Sequence, residues 1–243
     1  MTAAEACLRL VEELPGSLVE SLIIQLRRGV PPAMTNPGYQ GRVDEFLRRC
    51  SGVRGELAPM LEVALTAKRS RQTAELVWTG PPTPVVPVRG TEQVLCDLIR
   101  CTERHLTITS FGVFQVPRLV EELEQALIRG VALRIVLGDR ESHGGQEIEH
   151  QRHQLGRVVA ARAMLLHWPP ERRPRDEQGH AGLMHAKAAV ADSRIAFLTS
   201  ANLTEAALER NMELGVLIRA GNLPASIDRL IDALLESGEL QTA

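Results

Sequence analysis

Aromatic residues are scarce in this chain of 243 residues, making up only 3 % of the sequence. A core with so few large rings has to be built from aliphatic side chains, which dominate the 44 % of residues that are hydrophobic. Long apolar runs are also missing, because no stretch approaches the roughly 18 apolar residues that a membrane span needs. The sequence therefore predicts an aliphatic globular core and no membrane partner.

An excess of positive charge is missing as well. The formal net charge is −2 and the sequence pI is about 6.4. No overall positive field therefore indicates nucleic-acid binding, although the net charge does not exclude a local basic patch. Lysine is nearly absent: Lys68 and Lys187 are the two lysines among 28 basic residues. Against this background, a lysine inside a polar motif is less easily attributed to composition.

The sequence contains no cysteine pair at Cys-x-x-Cys spacing. Its four cysteines are scattered at positions 7, 50, 96 and 101, which favours a reduced, cytoplasmic protein over a disulfide framework or a zinc site. The first residues contain no basic segment followed by an apolar one, so no signal peptide is expected. The sequence predicts a cytoplasmic protein without a metal or other cofactor.

The pattern of apolar residues divides the chain into two parts. Residues 1–80 are predicted to be a helical region, because apolar residues recur at helical spacing around Leu18, Leu22 and Leu26 and again in a helix expected over 56–76. Residues 81–88 contain four prolines and are predicted to be a stiff linker. The sequence thus places the domain boundary at this linker.

Strands and helices alternate after the linker, in residues 89–243. Segments rich in β-branched and aliphatic residues predict strands, and amphipathic segments between them predict helices. This order indicates an α/β fold with a mixed, largely parallel sheet flanked by helices. The expected strands include residues 105–111, 132–137, 163–167 and 184–191.

The most informative segment is the predicted strand over 184–191, which contains His185 and Lys187. Residues two apart on a strand share a face, so the imidazole and the ammonium are expected to lie side by side. A nucleophilic imidazole beside a fixed positive charge is what attack on a phosphate diester needs. Taken alone, however, a histidine on an apolar strand is usually a satisfied core residue.

Further polar residues follow at short intervals in Thr199-Ser200-Ala201-Asn202 and Asn211-Met212-Glu213. Together with Lys187, Ser200 and Asn202 are predicted to hold the phosphate oxygens, and Glu213 to orient the His185 ring. Asp192 is predicted to be structural, holding a turn through backbone hydrogen bonds. The alternatives are a capping role for Asn202 and a solvated position for Glu213.

Two other clusters lie outside this series. Residues 142–153 contain three histidines and two glutamates, for which a solvated helix face is favoured over a metal site because no compact ligand set closes. The polar loop before the motif contains Arg172, Arg173 and Arg175, which are candidate contacts for a nucleic-acid backbone. The alternative for these arginines is ordinary solvated charge.

The series His185-x-Lys187-x4-Asp192, Ser200-x-Asn202 and Asn211-x-Glu213 resembles the HKD motif of the phospholipase D superfamily. The resemblance covers roughly residues 89–240, with one departure, Thr199 where a glycine is common. It implies metal-independent phosphodiester chemistry at a site where two HKD motifs meet. Because this chain contains one motif, the resemblance implies a homodimer that completes the active site.

The helical first third, the length and the single motif also resemble the phospholipase-D-like components of bacterial anti-phage defence systems. The leading hypothesis is a phosphodiesterase that cleaves nucleic acid, with DNA as the expected substrate and other defence proteins as expected partners. One alternative is a phospholipase or phosphatidyl transferase, which the sparse aromatics disfavour. The other is a non-catalytic subunit that binds nucleic acid or serves in assembly.

Overall fold

The chain folds as two compact units, residues 1–71 and residues 72–243. They are described from a computed structural model, which covers residues 1–82, 84–114, 116–139 and 146–243. Each unit contains its own cluster of buried apolar side chains. Within these described residues, no helix is both long enough and apolar enough to cross a membrane.

The first unit is helical, as the sequence predicts. Thr2 caps the first helix, because its hydroxyl accepts from the backbone N–H of Glu5 while the Glu5 carboxylate accepts from the backbone N–H of Thr2. Aliphatic side chains and Phe46 fill the core between the helices. The helices are α1 (Ala3–Glu13), α2 (Gly16–Arg27), α3 (Pro37–Arg49) and α4 (Leu57–Ser70), with a 3-10 turn at Ser51–Glu56 between the last two.

The second unit alternates strands with helices. Its strands are β1 (Thr73–Thr79), β2 (His105–Ser110), β3 (Val113–Phe114), β4 (Ala132–Leu137), β5 (Met164–His167), β6 (Ala188–Ala191), β7 (Ile195–Thr199), β8 (Leu203–Thr204), β9 (Glu213–Arg219) and β10 (Gln241–Thr242). Its helices are α5 (Thr91–Cys101), α6 (Pro117–Ile128), α7 (Gln146–Gln154), α8 (Gly156–Arg162), α9 (Glu205–Glu209) and α10 (Leu223–Glu236), with a 3-10 turn at Pro170–Arg172.

The main sheet is mixed and has eight strands in the order β1-β9-β7-β6-β2-β4-β5-β10, while β3 and β8 form a separate parallel pair. The prediction of a mixed sheet flanked by helices is confirmed, but the expectation that the sheet is largely parallel is wrong. Among the described pairings of the main sheet, only β2–β4 and β4–β5 are parallel. One of the antiparallel pairings follows from a tight turn after β6, where Asp192 and Ser193 have φ angles of 52° and 54° and return the chain as β7.

The boundary between the units lies earlier in the chain than the sequence predicts. The helix expected over 56–76 ends at Ser70, and residues 73–79 form β1, which pairs antiparallel with β9 along its whole length. A helical apolar pattern cannot reveal such a distant partner, whereas the pairing satisfies the backbone of β1 in the second unit. The predicted division into 1–80, 81–88 and 89–243 is therefore corrected to 1–71 and 72–243.

Candidate active site

The candidate site lies at the carboxyl ends of the parallel strands β2 and β4, the edge at which open α/β sheets commonly bind ligands. The N–H of Gly138, just after β4, donates to the Ser110 carbonyl at 2.9 Å. A Cβ atom at Gly138 would lie 2.6 Å from the carbonyl oxygen of Met184 and 2.6 Å from Cδ2 of Phe111. Only glycine therefore lets the segment that leads into His185 approach these strand ends so closely.

His185 is exposed and precedes β6 instead of lying within it. The predicted strand over 184–191 is thus corrected to Ala188–Ala191, because the ladder with β7 begins only at Ala188. The ring of Phe111 lies 5.3 Å from the His185 ring between centroids, at an interplanar angle of 53°. This contact limits the orientation of the imidazole from one side.

Lys187 lies beside His185, as the two-residue spacing predicts. Its Nζ atom is 3.0 Å from Nδ1 of His185 and donates to the His185 carbonyl at 2.9 Å. The Lys187 carbonyl accepts from the N–H of Thr199 at 3.2 Å, which holds this residue against the end of β7. Burial lowers the pKa of the Lys187 ammonium, and the carboxylate of Glu213 opposes that shift.

Ser200 and Glu213 form a second polar group near Lys187. The Ser200 hydroxyl donates to the Glu213 carboxylate, whose other oxygen accepts from Nδ2 of Asn211 at 3.3 Å. The expected hydrogen bond between Glu213 and His185 is absent from the described part of the chain. The Glu213 carboxylate is held instead by the side chains of Ser200 and Asn211, which follow β7 and precede β9.

Asn202 lies between Ser200 and β8, and its side chain is half-buried. Its Oδ1 atom is buried without a hydrogen-bond partner among the described residues. A buried amide oxygen left in this state costs about 1–3 kcal/mol. A hydrogen bond from a donor to this oxygen would remove that cost. Rotation of the amide group, which exchanges the positions of its oxygen and nitrogen, would also present the N–H groups to a polar ligand.

Asp192 makes backbone hydrogen bonds, but to a distant segment and not within the turn that the sequence predicts it to hold. Its carboxylate accepts from three successive backbone N–H groups, those of Glu103 at 2.9 Å, Arg104 at 2.8 Å and His105 at 3.0 Å. Burial of the carboxyl group opposes ionisation, but these donors outweigh it, so the pKa of Asp192 is lowered. Asp192 thus ties the β6–β7 turn to the start of β2, at the opposite end of β2 from His185.

Arg173 is not a surface contact, which corrects the prediction that it meets a nucleic-acid backbone. Its guanidinium is buried, forms an ion pair with the buried carboxylate of Asp139 and donates to the Trp168 carbonyl at 2.8 Å. Its Cζ atom lies 6.0 Å from the centroid of the Trp168 ring. A buried carboxylate needs a paired charge, and Arg173 supplies it.

The neighbouring arginines remain at the surface. The side chain of Arg172 is 48 % exposed, and Nη1 lies 3.9 Å from the Glu239 carboxylate. Arg175 donates to the carbonyl of Gly179 at 2.8 Å within its own loop. Nucleic-acid contact by Arg172 and Arg175 stays a prediction.

Only part of the histidine-rich segment, from residue 146 onward, is described. Residues 142–145, which include His143, lie outside the described residues. In α7, His153 pairs with Glu149 at 3.4 Å, while His150 stacks against Phe114. No group of three or more histidine, cysteine or acidic side chains is arranged to hold a metal ion in the described ranges.

Sequence reasoning missed two residues that shape the site, Phe111 and Gly138. Each follows the carboxyl end of one of two adjacent parallel strands. Their position at or immediately after the end of a predicted strand could have identified them, because the carboxyl ends of adjacent parallel strands lie at one edge of the sheet.

A histidine and a lysine thus lie together at one edge of a mixed α/β sheet. A family model described as "Cardiolipin synthase, PLD-like domain" matches residues 95–235. The chain belongs to this phospholipase-D-like family. The resemblance that the motif residues indicate is confirmed.

Among curated proteins, the DISARM protein DrmC of Bacillus paralicheniformis is 27 % identical over 152 residues, which are 62 % of this chain and 59 % of that protein. The chain thus spans about three fifths of the length of this relative. DrmC is the defence-system component that the sequence resembles, so the match confirms that resemblance.

Solved structures that are similar to this chain include two bacterial proteins. NucT from Helicobacter pylori has a TM-score of 0.52 and 18 % identity, covering 69 % of this chain and 98 % of its own. Nuc from Salmonella typhimurium, a phospholipase D family member, has a TM-score of 0.49 and 16 % identity, covering 71 % of this chain and 99 % of its own. At its level of identity, the likeness to NucT shows a shared fold and confirms the predicted fold class.

Proposed function

We propose that this chain is a phosphodiesterase that cleaves nucleic acid, with DNA as substrate, in bacterial anti-phage defence. The observation that carries the proposal is the 3.0 Å contact between Nζ of Lys187 and Nδ1 of His185, at the sheet edge of a phospholipase-D-like chain. The exposed imidazole can reach a substrate phosphate, and the adjacent ammonium can neutralise its charge. The chemistry of these two groups therefore fits displacement at phosphorus.

In the proposed reaction, His185 is the nucleophile. A nitrogen–phosphorus bond forms as one phosphate ester bond breaks, and the leaving alkoxide takes a proton from the histidine of a second copy. Water then attacks the phosphohistidine and gives its proton to that same second histidine. This step releases His185 and a phosphomonoester, so the covalent intermediate divides one displacement into two. No metal takes part in this scheme.

Lys187 and Asn202 hold the non-bridging phosphate oxygens in this proposal. When substrate binds, the Lys187 ammonium exchanges its contact with the imidazole for a contact with phosphate, which frees Nδ1 of His185. The Asn202 amide, whose Oδ1 lacks a partner in the described residues, turns its N–H donors to the phosphate. Glu213 raises the pKa of Lys187 against the effect of burial and so favours the charged ammonium.

Ser200 acts through its hydroxyl, which is already fixed by Glu213 and by the N–H of Leu214 at 3.1 Å. In this proposal it contributes one further donor to the phosphate after exchanging its contact with Glu213. Glu213 is then a positioning residue for Ser200 and Lys187, and it does not orient His185 within one chain.

A second copy of the chain supplies the second histidine, because this sequence contains one His-x-Lys motif. A two-fold axis near the exposed His185 ring would bring two identical imidazoles to one phosphate. Sedimentation of the purified chain at micromolar concentration, with and without DNA, tests this arrangement. A monomer under both conditions would contradict the two-histidine mechanism.

Anti-phage defence is proposed from the similarity to DrmC, which is named as a DISARM protein. A defence assay in cells with the wild-type chain and the His185→Ala variant tests whether the chemistry is needed. Loss of protection with unchanged protein level supports catalysis. Full protection by the variant would favour the non-catalytic alternative, in which the chain binds nucleic acid or serves in assembly.

The central experiment is a cleavage assay in excess EDTA on single- and double-stranded DNA and RNA. The wild-type chain is expected to cleave, and His185→Ala is expected to lose cleavage. His180→Ala is a matched control, because His180 is an exposed histidine of the same loop whose ring pairs with Asp176 and with no residue of the candidate site among the described contacts. Cleavage that survives His185→Ala, or that EDTA abolishes, would contradict the proposed chemistry.

A lipid phosphodiester is the second candidate substrate, because the matching family model carries the name of cardiolipin synthase. Release of headgroups from phosphatidylcholine vesicles and vesicle flotation test this candidate with the same variants. Headgroup release that depends on His185, without cleavage of any nucleic acid, would replace the leading proposal with this one.

A further inference from the structure

The most unusual exposed side chain near the candidate site is that of Phe114. The chain contains four phenylalanines, two tryptophans and one tyrosine. Phe114 is 45 % exposed, whereas the other six aromatic side chains are buried or half-buried. Because aromatic rings are so scarce in this chain, an exposed ring near the candidate site is a candidate for ligand contact.

The backbone fixes Phe114 next to the motif residues. Strand β3 pairs in parallel with β8, which places Val113 opposite Leu203 and Phe114 opposite Thr204. The first of these pairs is buried in the core and anchors the two short strands. Thr204, which lies opposite Phe114, follows Asn202 by two residues, and its N–H donates to the Asn202 carbonyl at 2.9 Å.

His150 extends the exposed ring surface. Its ring lies 6.2 Å from that of Phe114 between centroids, at an interplanar angle of 25°, so the two faces are close to parallel. The next residue, Gln151, is buried and donates from Nε2 to the Gly138 carbonyl at 2.7 Å. Helix α7 is thereby tied to the glycine against which the segment before His185 packs.

We infer that Phe114 and His150 form a stacking surface for unpaired nucleobases, so that the substrate of the candidate site is single-stranded nucleic acid. This inference rests on the proposed function and names its substrate class. Every base has a π-face that stacks on an aromatic ring, whereas in a duplex those faces are covered by neighbouring bases. In this inference a phosphate of the strand lies at His185 and a neighbouring base stacks on Phe114, because α7 links the ring pair to Gly138 and the segment before His185.

Binding is measured by fluorescence anisotropy with labelled DNA strands of about 12 nucleotides, a length within the site sizes of stacking proteins. The full chain carries His185→Ala so that the strands stay intact. Adding Phe114→Ala is expected to weaken single-strand binding about tenfold. Phe114→Trp is expected to preserve binding, and duplex binding is expected to change little.

Leu230→Ala is the matched control, because Leu230 is an apolar side chain that is 58 % exposed on α10. It is expected to leave binding unchanged. A strand with abasic positions at its centre separates stacking from a structural effect. On this strand the Phe114→Ala variant should bind as well as its parent, because no base remains to stack.

Three results would overturn the inference: equal binding by Phe114→Ala and its parent, an equal loss on the abasic strand, or dissociation of a dimer by Phe114→Ala in sedimentation. The last result would assign the ring to contact between two copies.

The inference and the proposed function can fail separately. If the wild-type chain cleaves nothing but shows this binding pattern, the stacking surface stands and the phosphodiesterase does not. If the wild-type chain cleaves nucleic acid, and Phe114→Ala cleaves and binds it as well as the wild type does, the proposed phosphodiesterase stands and the stacking surface does not.

Discussion

The Lys187 ammonium lies 3.0 Å from Nδ1 of the His185 imidazole, while Glu213, the carboxylate expected to orient that ring, accepts instead from Ser200. The contact makes Lys187 a close neighbour of the proposed nucleophile and, in the proposed reaction, of the substrate phosphate. Burial lowers the pKa of Lys187, so its charge is lost at a lower pH than that of an ordinary lysine.

Replacing Lys187 by alanine is expected to lower kcat by about 10²–10³, the usual cost of removing one donor to a developing anion. The fold should be unaffected, because no core side chain is removed, so Tm should change little. Steady-state cleavage assays and thermal unfolding measure the two effects. A variant with wild-type kcat would exclude Lys187 from phosphate binding.

The Lys187→Arg variant is expected to retain part of the activity and to keep it at higher pH. The wild-type rate should fall as alkaline pH removes the proton from Lys187, whereas a guanidinium stays charged. Rate profiles of both proteins on the same substrate provide the measurement. Identical alkaline limbs would show that another group controls them.

Gly138→Ala is expected to destabilise the second unit by about 1–3 kcal/mol, because the added methyl group overlaps the Met184 backbone and has no room to relax. Activity should fall with it, since the displaced segment carries His185. Gly112→Ala is the control, because a Cβ at that position meets nothing within 4 Å. Urea unfolding of both variants is the measurement, and equal stability would contradict the close packing.

Arg173→Ala is expected to destabilise the fold by about 3–5 kcal/mol, because it leaves the buried Asp139 carboxylate without its ion pair. Arg172→Ala is the neighbouring control and should change stability by less than about 0.5 kcal/mol, since it removes an exposed side chain. Chemical unfolding compares them. If the Arg173→Ala protein were as stable as the wild type and bound DNA more weakly, Arg173 would contact nucleic acid after all, which its burial argues against.

Asp192 is expected to contribute to the acid sensitivity of the second unit. Its pKa is lowered in the fold, so its stabilisation is present above the ordinary carboxyl pKa of about 4 and is lost as pH falls through the lower folded value. Asp192→Asn should be less stable near neutral pH and lose less on acidification. Urea unfolding at a series of pH values tests this, and parallel curves for the two proteins would contradict it.

Local sequence features were sufficient to identify the motif and the family. The two-residue spacing predicted that His185 and Lys187 lie side by side, and the turn propensity of Asp192 predicted the tight turn after β6. The helical first region also followed from apolar periodicity. These features depend on neighbours within a few residues, which is the range over which periodicity and turn chemistry act.

Only the tertiary structure determined which distant groups meet. Pairing with β9 made residues 73–79 a strand, and the buried Asp139 pairs with Arg173 in the interior. The ladder with β7 begins only at Ala188, so β6 starts after Lys187. The preference of Glu213 for Ser200 over His185 likewise depends on two strands brought together by the sheet. The sequence by itself therefore determined the reactive groups and their local spacing. The fold decided their partners, because burial and pairing depend on residues far apart in the chain.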